Sequence, residues 1–281
     1  MIEYKELTTF NEFRECVSLQ KEILGVSDLD AFSPLTLTVF AKREPPIGII
    51  VGAFDKKFEI KKMIGFFFGT AVLHEKAIYG IAIGVLPEYQ GKNIGIGIFL
   101  KFRDLVLERN VKYMYGLFDP LEGNLGHSYL NKLGFWGIRY KESPYELTNI
   151  DPSTSSIPIE KIAVKWELQS QRTSEKLGGT YQKEEFEKVK AKCPIVNEDN
   201  FLESKAVLVE IPEDFSVLKK IDFQGALNWR LKTRNIFNEY INNRGYWITE
   251  FYSHKENGKR RNFYLLQEKK HFENQCNDYG K

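Results

Sequence analysis

The sequence predicts an α+β fold in which a mixed sheet is followed by a smaller α+β unit, and three observations support this prediction. Apolar strand patterns alternate with amphipathic helix patterns from Met1 to Gln169. One strand, Met63 to Leu73, is apolar almost throughout, which is typical of a strand covered on both faces. Beyond residue 200, a strand, a long amphipathic helix and a hairpin pattern around Asn257-Gly258 form a second set.

The composition is that of a globular protein. The 281 residues are 42% hydrophobic, which is enough for a sizeable core. A net charge of only +2 favours neither nucleic acid nor a membrane as a partner. Cys16, Cys193 and Cys276 are too far apart for metal-site spacing or a disulfide framework, so we expect no metal and reduced thiols. No apolar signal region or membrane-spanning run occurs, and we expect a cytoplasmic protein.

The elements of the first part follow one another in a clear order. Thr8 or Thr9 and Ser33 are suitable N-caps for its first two helices, and Pro34 fits the first turn of the second. The predicted elements are a strand at Ile2 to Leu7, a helix to Gly25, a helix to about Arg43, strands at Ile47 to Phe54, Met63 to Leu73 and Tyr79 to Val85, a helix from Ile94, a strand at Lys112 to Phe118, a helix at Leu125 to Leu133, and strands at Phe135 to Tyr140 and Ile162 to Leu168. A loop over Ser143 to Ser156 separates the last two strands.

Composition divides the chain into three parts. Residues 1–169 form the first domain, and the polar residues 170–200 are predicted to be a linker or covering segment. Residues 201–281 form a C-terminal α+β extension. Its predicted elements are a strand at Ala206 to Ile211, a helix starting near Phe215, a helix at Gln224 to Asn243, and a hairpin of Tyr246 to Tyr252 with Arg261 to Gln267.

The turn between the strand ending at Val85 and the next helix has the composition of an anion site. Pro87 ends strand pairing, and Gly91 and Asn93 accept left-handed backbone conformations. Gly95 leaves space close to the helix start, where the first N–H groups have no partner within the helix. The alternative interpretation is an ordinary strand–turn–helix connection, because glycine motifs alone are weak signals.

The order of residues in this turn is informative. The run Val85-x-Pro-Glu-Tyr-Gln-Gly-Lys-Asn-Ile-Gly95 resembles the coenzyme A turn of the GNAT N-acetyltransferase superfamily, whose usual form is Gln/Arg-x-x-Gly-x-Gly/Ala. Asn93 stands where glycine is usual. The run Asn131-Lys-Leu-Gly-Phe135 resembles the second signature of the superfamily, and the predicted element order is that of its fold. The segment Trp229 to Phe237 resembles a branch of predicted acyltransferases with a C-terminal extension, some of which look associated with N-acylation of amino acids, with succinyl-CoA as one donor.

The resemblance implies acetyl-CoA or another short acyl-CoA as co-substrate and a small-molecule amine as acceptor. It also implies that backbone N–H groups polarise the thioester and that the turn holds the pyrophosphate. The coenzyme-binding residues expected on this basis are Ile83, Gly84, Val85, Gln90, Gly91, Lys92, Asn93, Ile94, Gly95, Ile96, Asn124 and Asn131. Asn124 has an alternative role as a helix cap.

The general acid and base are less evident. In many members of the superfamily a tyrosine serves the thiolate, and Leu130 occupies that position here. Tyr129 is adjacent but points about 100° away on a helix. Three residues are candidate bases, namely Asp119, Glu122 and His127. Each has an alternative structural role, in a turn, as a first-turn helix charge or as a packed imidazole.

Two arginines of the extension form a candidate acceptor clamp. Arg230 and Arg234 lie four residues apart on one helix face, and their planar guanidinium groups suit a carboxylate. The alternative is a solvated face or a packing contact.

The sequence supports two hypotheses for function. The first is a coenzyme A-dependent N-acyltransferase that transfers an acetyl, succinyl or other short acyl group directly to the amine of a small molecule, such as an amino acid. The second is a non-catalytic module that binds acyl-CoA or only retains the fold, which the missing tyrosine favours. We expect an enzyme, with no acyl-enzyme intermediate, and allow for a homodimer.

Overall fold

The structure is a computed structural model, and it describes residues 1–57, 61–142, 157–197 and 200–270. The predicted loop over Ser143 to Ser156 and Cys276 lie outside the described residues. Of the described cysteines, Cys16 is buried and Cys193 is half-buried, and both are free thiols. The predicted α+β class is confirmed, and the elements from the strand Ile2–Glu6 to the strand Glu160–Glu167 follow the predicted order.

The chain forms two compact units whose boundaries differ from the predicted domains. Unit 1 is Met1–Gly116 with Glu167–Gln169, and unit 2 is Leu117–Trp166 with Ser170–Lys281. The predicted boundary at residue 169 fails because a strand of the expected first domain pairs with the C-terminal hairpin. In this pairing Gly137 lies opposite Ile248. The extension therefore continues an existing sheet instead of forming a separate domain.

Unit 1 contains an antiparallel sheet with one parallel neighbour. Its elements are β1 (Ile2–Glu6), α1 (Phe10–Leu24), α2 (Pro34–Lys42), β2 (Gly48–Asp55), β3 (Lys62–Ala71), β4 (Ala77–Val85), a 3₁₀ turn (Pro87–Tyr89), α3 (Ile94–Glu108) and the start of β5 (Tyr113–Phe118). Strands β1 to β4 pair antiparallel in sequence order, and β5 pairs parallel with β4. The apolar strand β3 is buried on both faces, as predicted, and Phe67 packs between Phe99 and Phe102 of α3.

Local capping defines the helix ends of unit 1. The Thr9 side chain accepts a hydrogen bond from the N–H of Glu12, whose carboxylate accepts from the N–H of Thr9, which is a capping box. Gly25 ends α1 in the left-handed conformation at φ 66°. Ser33 caps α2 and Pro34 lies in its first turn. These predictions from short sequence signals are confirmed.

Unit 2 contains a sheet in the order β7-β6-β10-β11-β9-β8. Its elements are α4 (Gly123–Gly126), which continues as a π-helix (His127–Leu133), β6 (Trp136–Glu142), β7 (Glu160–Glu167), α5 (Gln171–Gly178), α6 (Phe186–Lys192), β8 (Ile195–Val196), β9 (Ala206–Ile211), α7 (Phe215–Ile221), α8 (Phe223–Phe237), which continues as a π-helix (Asn238–Asn243), β10 (Tyr246–Glu256) and β11 (Lys259–Glu268). The predicted hairpin is confirmed, and its turn residues Asn257 and Gly258 have φ values of 51° and 79°.

The predicted linker at residues 170–200 is instead a structural part of unit 2. Helix α5 lies within it, and Arg172 donates hydrogen bonds to the carbonyls of Gly134 and Leu130. The same guanidinium forms an ion pair at 2.9 Å with Glu250, which also accepts from Lys176 at 2.8 Å. Polar composition indicated an exposed segment, but these charges are neutralised by one another in the interior.

Candidate functional site

Strand β4 of unit 1 continues beyond its pairing with β5. The parallel pairing covers Ala77 to Tyr79, whereas β4 extends to Val85 alongside β3. The β3–β4 register shifts by one residue between the Phe68 and Gly69 pairs, which is a β-bulge. This bulge was not predicted, although glycines within a strand are a recognised signal for one.

The direction of the β4 backbone follows from its last hydrogen bond. The N–H of Leu86 donates to the carbonyl of Ile64 in β3 at 2.9 Å. Because neighbouring N–H groups alternate sides along a strand, those of Val85 and Ile83 point away from β3. They face the side of β4 on which pairing with β5 has already ended, which is where an acyl carbonyl could accept hydrogen bonds.

The turn after β4 adopts the left-handed geometry predicted for it. Asn93 is the N-cap of α3 at φ 61° and ψ 17°, and Gly91 has φ 72°. Asparagine tolerates this region better than most residues, so position 93 adopts the left-handed conformation without a glycine.

Two side chains predicted to contact the coenzyme instead stabilise the turn. The Gln90 amide donates to the carbonyl of Val85 at 3.0 Å, and the N–H of Gln90 donates to that of Pro87. The Lys92 ammonium donates to the carbonyl of Glu88 at 2.7 Å and lies over the Tyr89 ring. Both residues fix the loop through side-chain bonds to the main chain.

The start of α3 presents backbone donors beside open space. The first helical bond joins the N–H of Gly97 to the carbonyl of Asn93 at 3.0 Å, so the N–H groups of Ile94, Gly95 and Ile96 precede the helical ladder. A Cβ built on Gly95 would meet only the Ile83 side chain, at 4.0 Å. The first turn contains no acidic side chain among its described residues. The helix start therefore suits an anion that approaches closely.

Asp119 of unit 2 is held by Arg230. The guanidinium donates two hydrogen bonds to the two carboxylate oxygens, at 2.9 and 2.6 Å. The N–H of Leu121 also donates to Asp119, at 2.9 Å. Both carboxylate oxygens are already engaged by these hydrogen bonds, so the environment of Asp119 does not support its candidate role as a base.

The predicted arginine clamp is likewise engaged inside unit 2. Arg230 is only 2% exposed, which leaves no surface for a carboxylate ligand. Arg234 binds Glu160 through Nε at 2.6 Å and Nη2 at 2.5 Å. The helical spacing was correct, but the face is buried against acidic partners from distant parts of the chain. We therefore assign both arginines to ion pairs within unit 2 and withdraw the acceptor clamp.

Of the other two candidate bases, His127 has the more suitable environment. Glu122 accepts hydrogen bonds from Ser216 and Lys219. Burial, with contributions from Lys132 and Lys183, lowers the pKa of His127, so the imidazole is neutral near pH 7. His127 is half-buried and lies edge-on to Phe251. A neutral, accessible imidazole can accept a proton.

The two asparagines of α4 and the π-helix that continues it differ in their surroundings. Asn131 pairs with the main chain of Phe251, donating to its carbonyl at 2.7 Å and accepting from its N–H at 3.1 Å. This pairing fixes the π-helix to β10, and the predicted coenzyme contact of Asn131 is therefore not supported. Asn124 is exposed, and Glu122, rather than Asn124, is the residue at the N-cap position of α4.

Tyr129 and Leu130 both lie in the interior of unit 2. Leu130 is completely buried, and Tyr129 packs edge-on against Phe118 and stacks on Phe135 at 4.9 Å. Burial raises the pKa of the Tyr129 phenol, which opposes a role for Tyr129 as a general acid.

The described residues contain neither a membrane-spanning helix nor a cluster of metal-ligating side chains. No helix in the described ranges is long and apolar enough to cross a membrane. Within the same residues, no group of three or more histidine, cysteine, aspartate or glutamate side chains could hold a metal ion.

Comparisons with known proteins give similarities in structure only. No family model and no curated protein matches this chain. The ribosomal-protein-S18-alanine N-acetyltransferase from Escherichia coli matches with 17% identity over 60% of this chain and 94% of its own, at a TM-score of 0.45. The PaiA N-acetyltransferase from Thermoplasma acidophilum, in complex with coenzyme A, matches with 14% identity over 59% and 99%, at 0.41. A GNAT-family acetyltransferase from Streptococcus pneumoniae matches with 14% identity over 59% and 99%, at 0.47.

Proposed function

We propose that this protein is a coenzyme A-dependent N-acyltransferase that acts on the amine of a small molecule. The observation that carries the proposal is the start of α3, where a left-handed Asn93 and an open Gly95 leave backbone donors accessible to an anion. The N–H groups of Ile94, Gly95 and Ile96 would bind the pyrophosphate.

The proposed reaction is direct transfer of the acyl group to the amine. The N–H groups of Ile83 or Val85 would donate to the thioester oxygen as negative charge develops on it. The acceptor nitrogen forms a bond to the acyl carbon, and the carbon–sulfur bond breaks to release the thiolate, which takes up a proton. His127 is the proposed acceptor of the amine proton. Cys16 is buried, and burial raises the pKa of its thiol to about 12, which opposes an acyl-cysteine intermediate.

Release of free thiol tests the proposed function. Acetyl-CoA or succinyl-CoA incubated with the protein and a mixture of amino acids should yield thiol at a rate proportional to protein concentration, with N-acylated product detected by mass spectrometry. Initial rates should give intersecting lines, as a ternary complex requires. Coenzyme A binding without product would favour the alternative function, a non-catalytic module that binds acyl-CoA. The observation that supports this alternative is that buried Leu130 stands where the family pattern has a tyrosine.

We expect the pH dependence of turnover to depend on His127. Because its folded pKa is lowered, the imidazole stays neutral to more acidic pH than an ordinary histidine, and the acidic limb of kcat should lie below about 6.5. His127→Gln should lower kcat by about 100- to 10,000-fold and abolish that limb. Steady-state rates between pH 5 and pH 9 measure both effects.

His254, on β10, provides the matched control. It lies 3.3 Å from Glu187 and packs against Phe186 in another part of unit 2. His254→Gln should leave the pH profile unchanged. A profile that His127→Gln does not alter would exclude His127 as the base.

A further inference from the structure

The paired strands β6 and β7 place like charges opposite each other on both faces. Lys141 lies directly opposite Lys161, and the next pair along is Glu142 opposite Glu160. Residues directly opposite in an antiparallel pair project to the same face, and successive pairs alternate faces. One face therefore carries a lysine pair and the other a glutamate pair. Like charges in this position are destabilising unless something neutralises them.

The glutamate pair is neutralised within unit 2. Glu160 is 1% exposed and binds Arg234 at 2.5 Å, with Arg230 at 3.9 Å from its second oxygen. Arg234 also lies 3.9 Å from Glu142. Helix α8 thus supplies two cations to the acidic face.

The lysine pair has no equivalent partners in the described part of unit 2. Neither Lys141 nor Lys161 forms an ion pair with a described residue, and Arg139, which lies opposite Ala163 on the same face, adds a third cation. Arg139 and Lys141 are exposed, whereas Lys161 is half-buried. Ala163 is small, so it leaves room between the three long side chains.

Nearby carboxylates influence Lys161 without neutralising this face. Burial lowers the pKa of Lys161, and Asp119 and Glu122 oppose that effect. However, Asp119 is bound by Arg230 and Glu122 by Lys219, so both carboxylates already have cationic partners. Within the described ranges, this face therefore keeps an excess of positive charge.

Resting on the proposed function, we propose that Arg139, Lys141 and Lys161 bind an acceptor amine that carries two or more carboxylates. A dicarboxylate would neutralise the three cations on this face, as Arg230 and Arg234 of α8 neutralise the glutamate pair on the other face. Arg230, which binds Asp119, also lies 3.9 Å from Glu160, the residue before Lys161. Glu122 is the N-cap of α4, and the π-helix that continues α4 begins at His127, so the strand that carries Lys161 and this helical segment belong to one region of unit 2. The acceptor class is therefore an acidic amino acid or a comparable amino dicarboxylate.

The test compares glutamate with glutamine, which has the same shape but one carboxylate fewer. Wild-type protein should acylate glutamate with the higher kcat/KM. The double variant Lys141→Gln/Lys161→Gln should raise the KM for glutamate about tenfold to a hundredfold, with kcat and coenzyme A affinity unchanged and the KM for glutamine little altered. Because the substitution removes repulsion, its Tm should rise by about 1–3 °C or stay the same. Lys188→Gln, which removes one exposed charge from α6, should change nothing.

Two results would overturn the inference. The first is that wild-type protein uses glutamate and glutamine with equal kcat/KM and that the double variant leaves both values unchanged. The second is that the double variant has a lower Tm and no longer binds coenzyme A, as expected if the lysines have a structural role. If no amine is acylated, the proposed function fails. Calorimetric titration with citrate then tests separately whether Arg139, Lys141 and Lys161 bind an anion. Binding of citrate to wild-type protein that the double variant loses supports the site, and equal or absent binding to both proteins overturns it.

Discussion

Replacing Arg230 with alanine should lower the free energy of unfolding by about 3–5 kcal/mol, because it leaves the largely buried Asp119 carboxylate without its cation. The Arg230 side chain is 2% exposed and makes two hydrogen bonds to Asp119 at 2.9 and 2.6 Å. It also packs over the Phe215 ring. Chemical denaturation followed by circular dichroism measures the loss.

Two further variants make this prediction specific. Arg230→Met combined with Asp119→Leu should recover most of the stability, since exchange of both charges for apolar groups of similar size is often neutral. Arg260→Ala, at the exposed end of β11, should change stability by less than about 0.5 kcal/mol. If the Arg230→Ala protein has normal stability and a raised KM for the acceptor, the prediction of a structural role is wrong, and the acceptor clamp predicted from the sequence is supported.

The second large effect is expected at the start of α3. Gly95→Glu places a carboxylate in the open space where the coenzyme pyrophosphate is proposed to bind. It should weaken coenzyme A binding about a hundredfold, since it opposes the charge-assisted bonds to the helix N-terminus, while an acidic residue in the first turn leaves the helix stable. Calorimetric titration with coenzyme A measures the affinity, and thermal unfolding checks the fold.

Neighbouring glycines in α3 provide the controls. Gly95→Ala adds a Cβ that meets only the Ile83 side chain at 4.0 Å, so binding should persist. Gly97→Ala would instead require the Tyr4 ring to move, because its Cβ would lie 2.3 Å from that ring. Unchanged coenzyme affinity in Gly95→Glu would remove the observation on which the proposed function rests.

Signals that act over a few residues could be predicted from the sequence. The caps at Thr9 and Ser33, the left-handed Gly25 and the Asn257-Gly258 hairpin turn depend on contacts within about four residues, and each is observed. The turn before α3 belongs to the same class, since its geometry is fixed by bonds between Val85 and Gly97.

Contacts between distant residues could not be predicted in this way. Helical spacing placed Arg230 and Arg234 on one face, but a face rich in arginine is compatible both with solvent and with buried carboxylates. Only the fold shows that Asp119 and Glu160 lie against it. Likewise, the sequence predicted β6 as a strand without indicating that β10 would be its second neighbour, which is why the predicted boundary at residue 169 differs from the boundary between the compact units.

The pairing of Gly137 in β6 with Ile248 in β10 determines when unit 2 can become stable during synthesis. As the chain leaves the ribosome, β6 has only β7 beside it until residue 248 has been made, and its other edge exposes unpaired N–H and C=O groups. Likewise, Asp119 cannot pair with Arg230, nor Asn131 with Phe251, until these later residues have been synthesised. A newly made chain must therefore carry an open strand edge for much of its translation, during which that edge can pair with other chains.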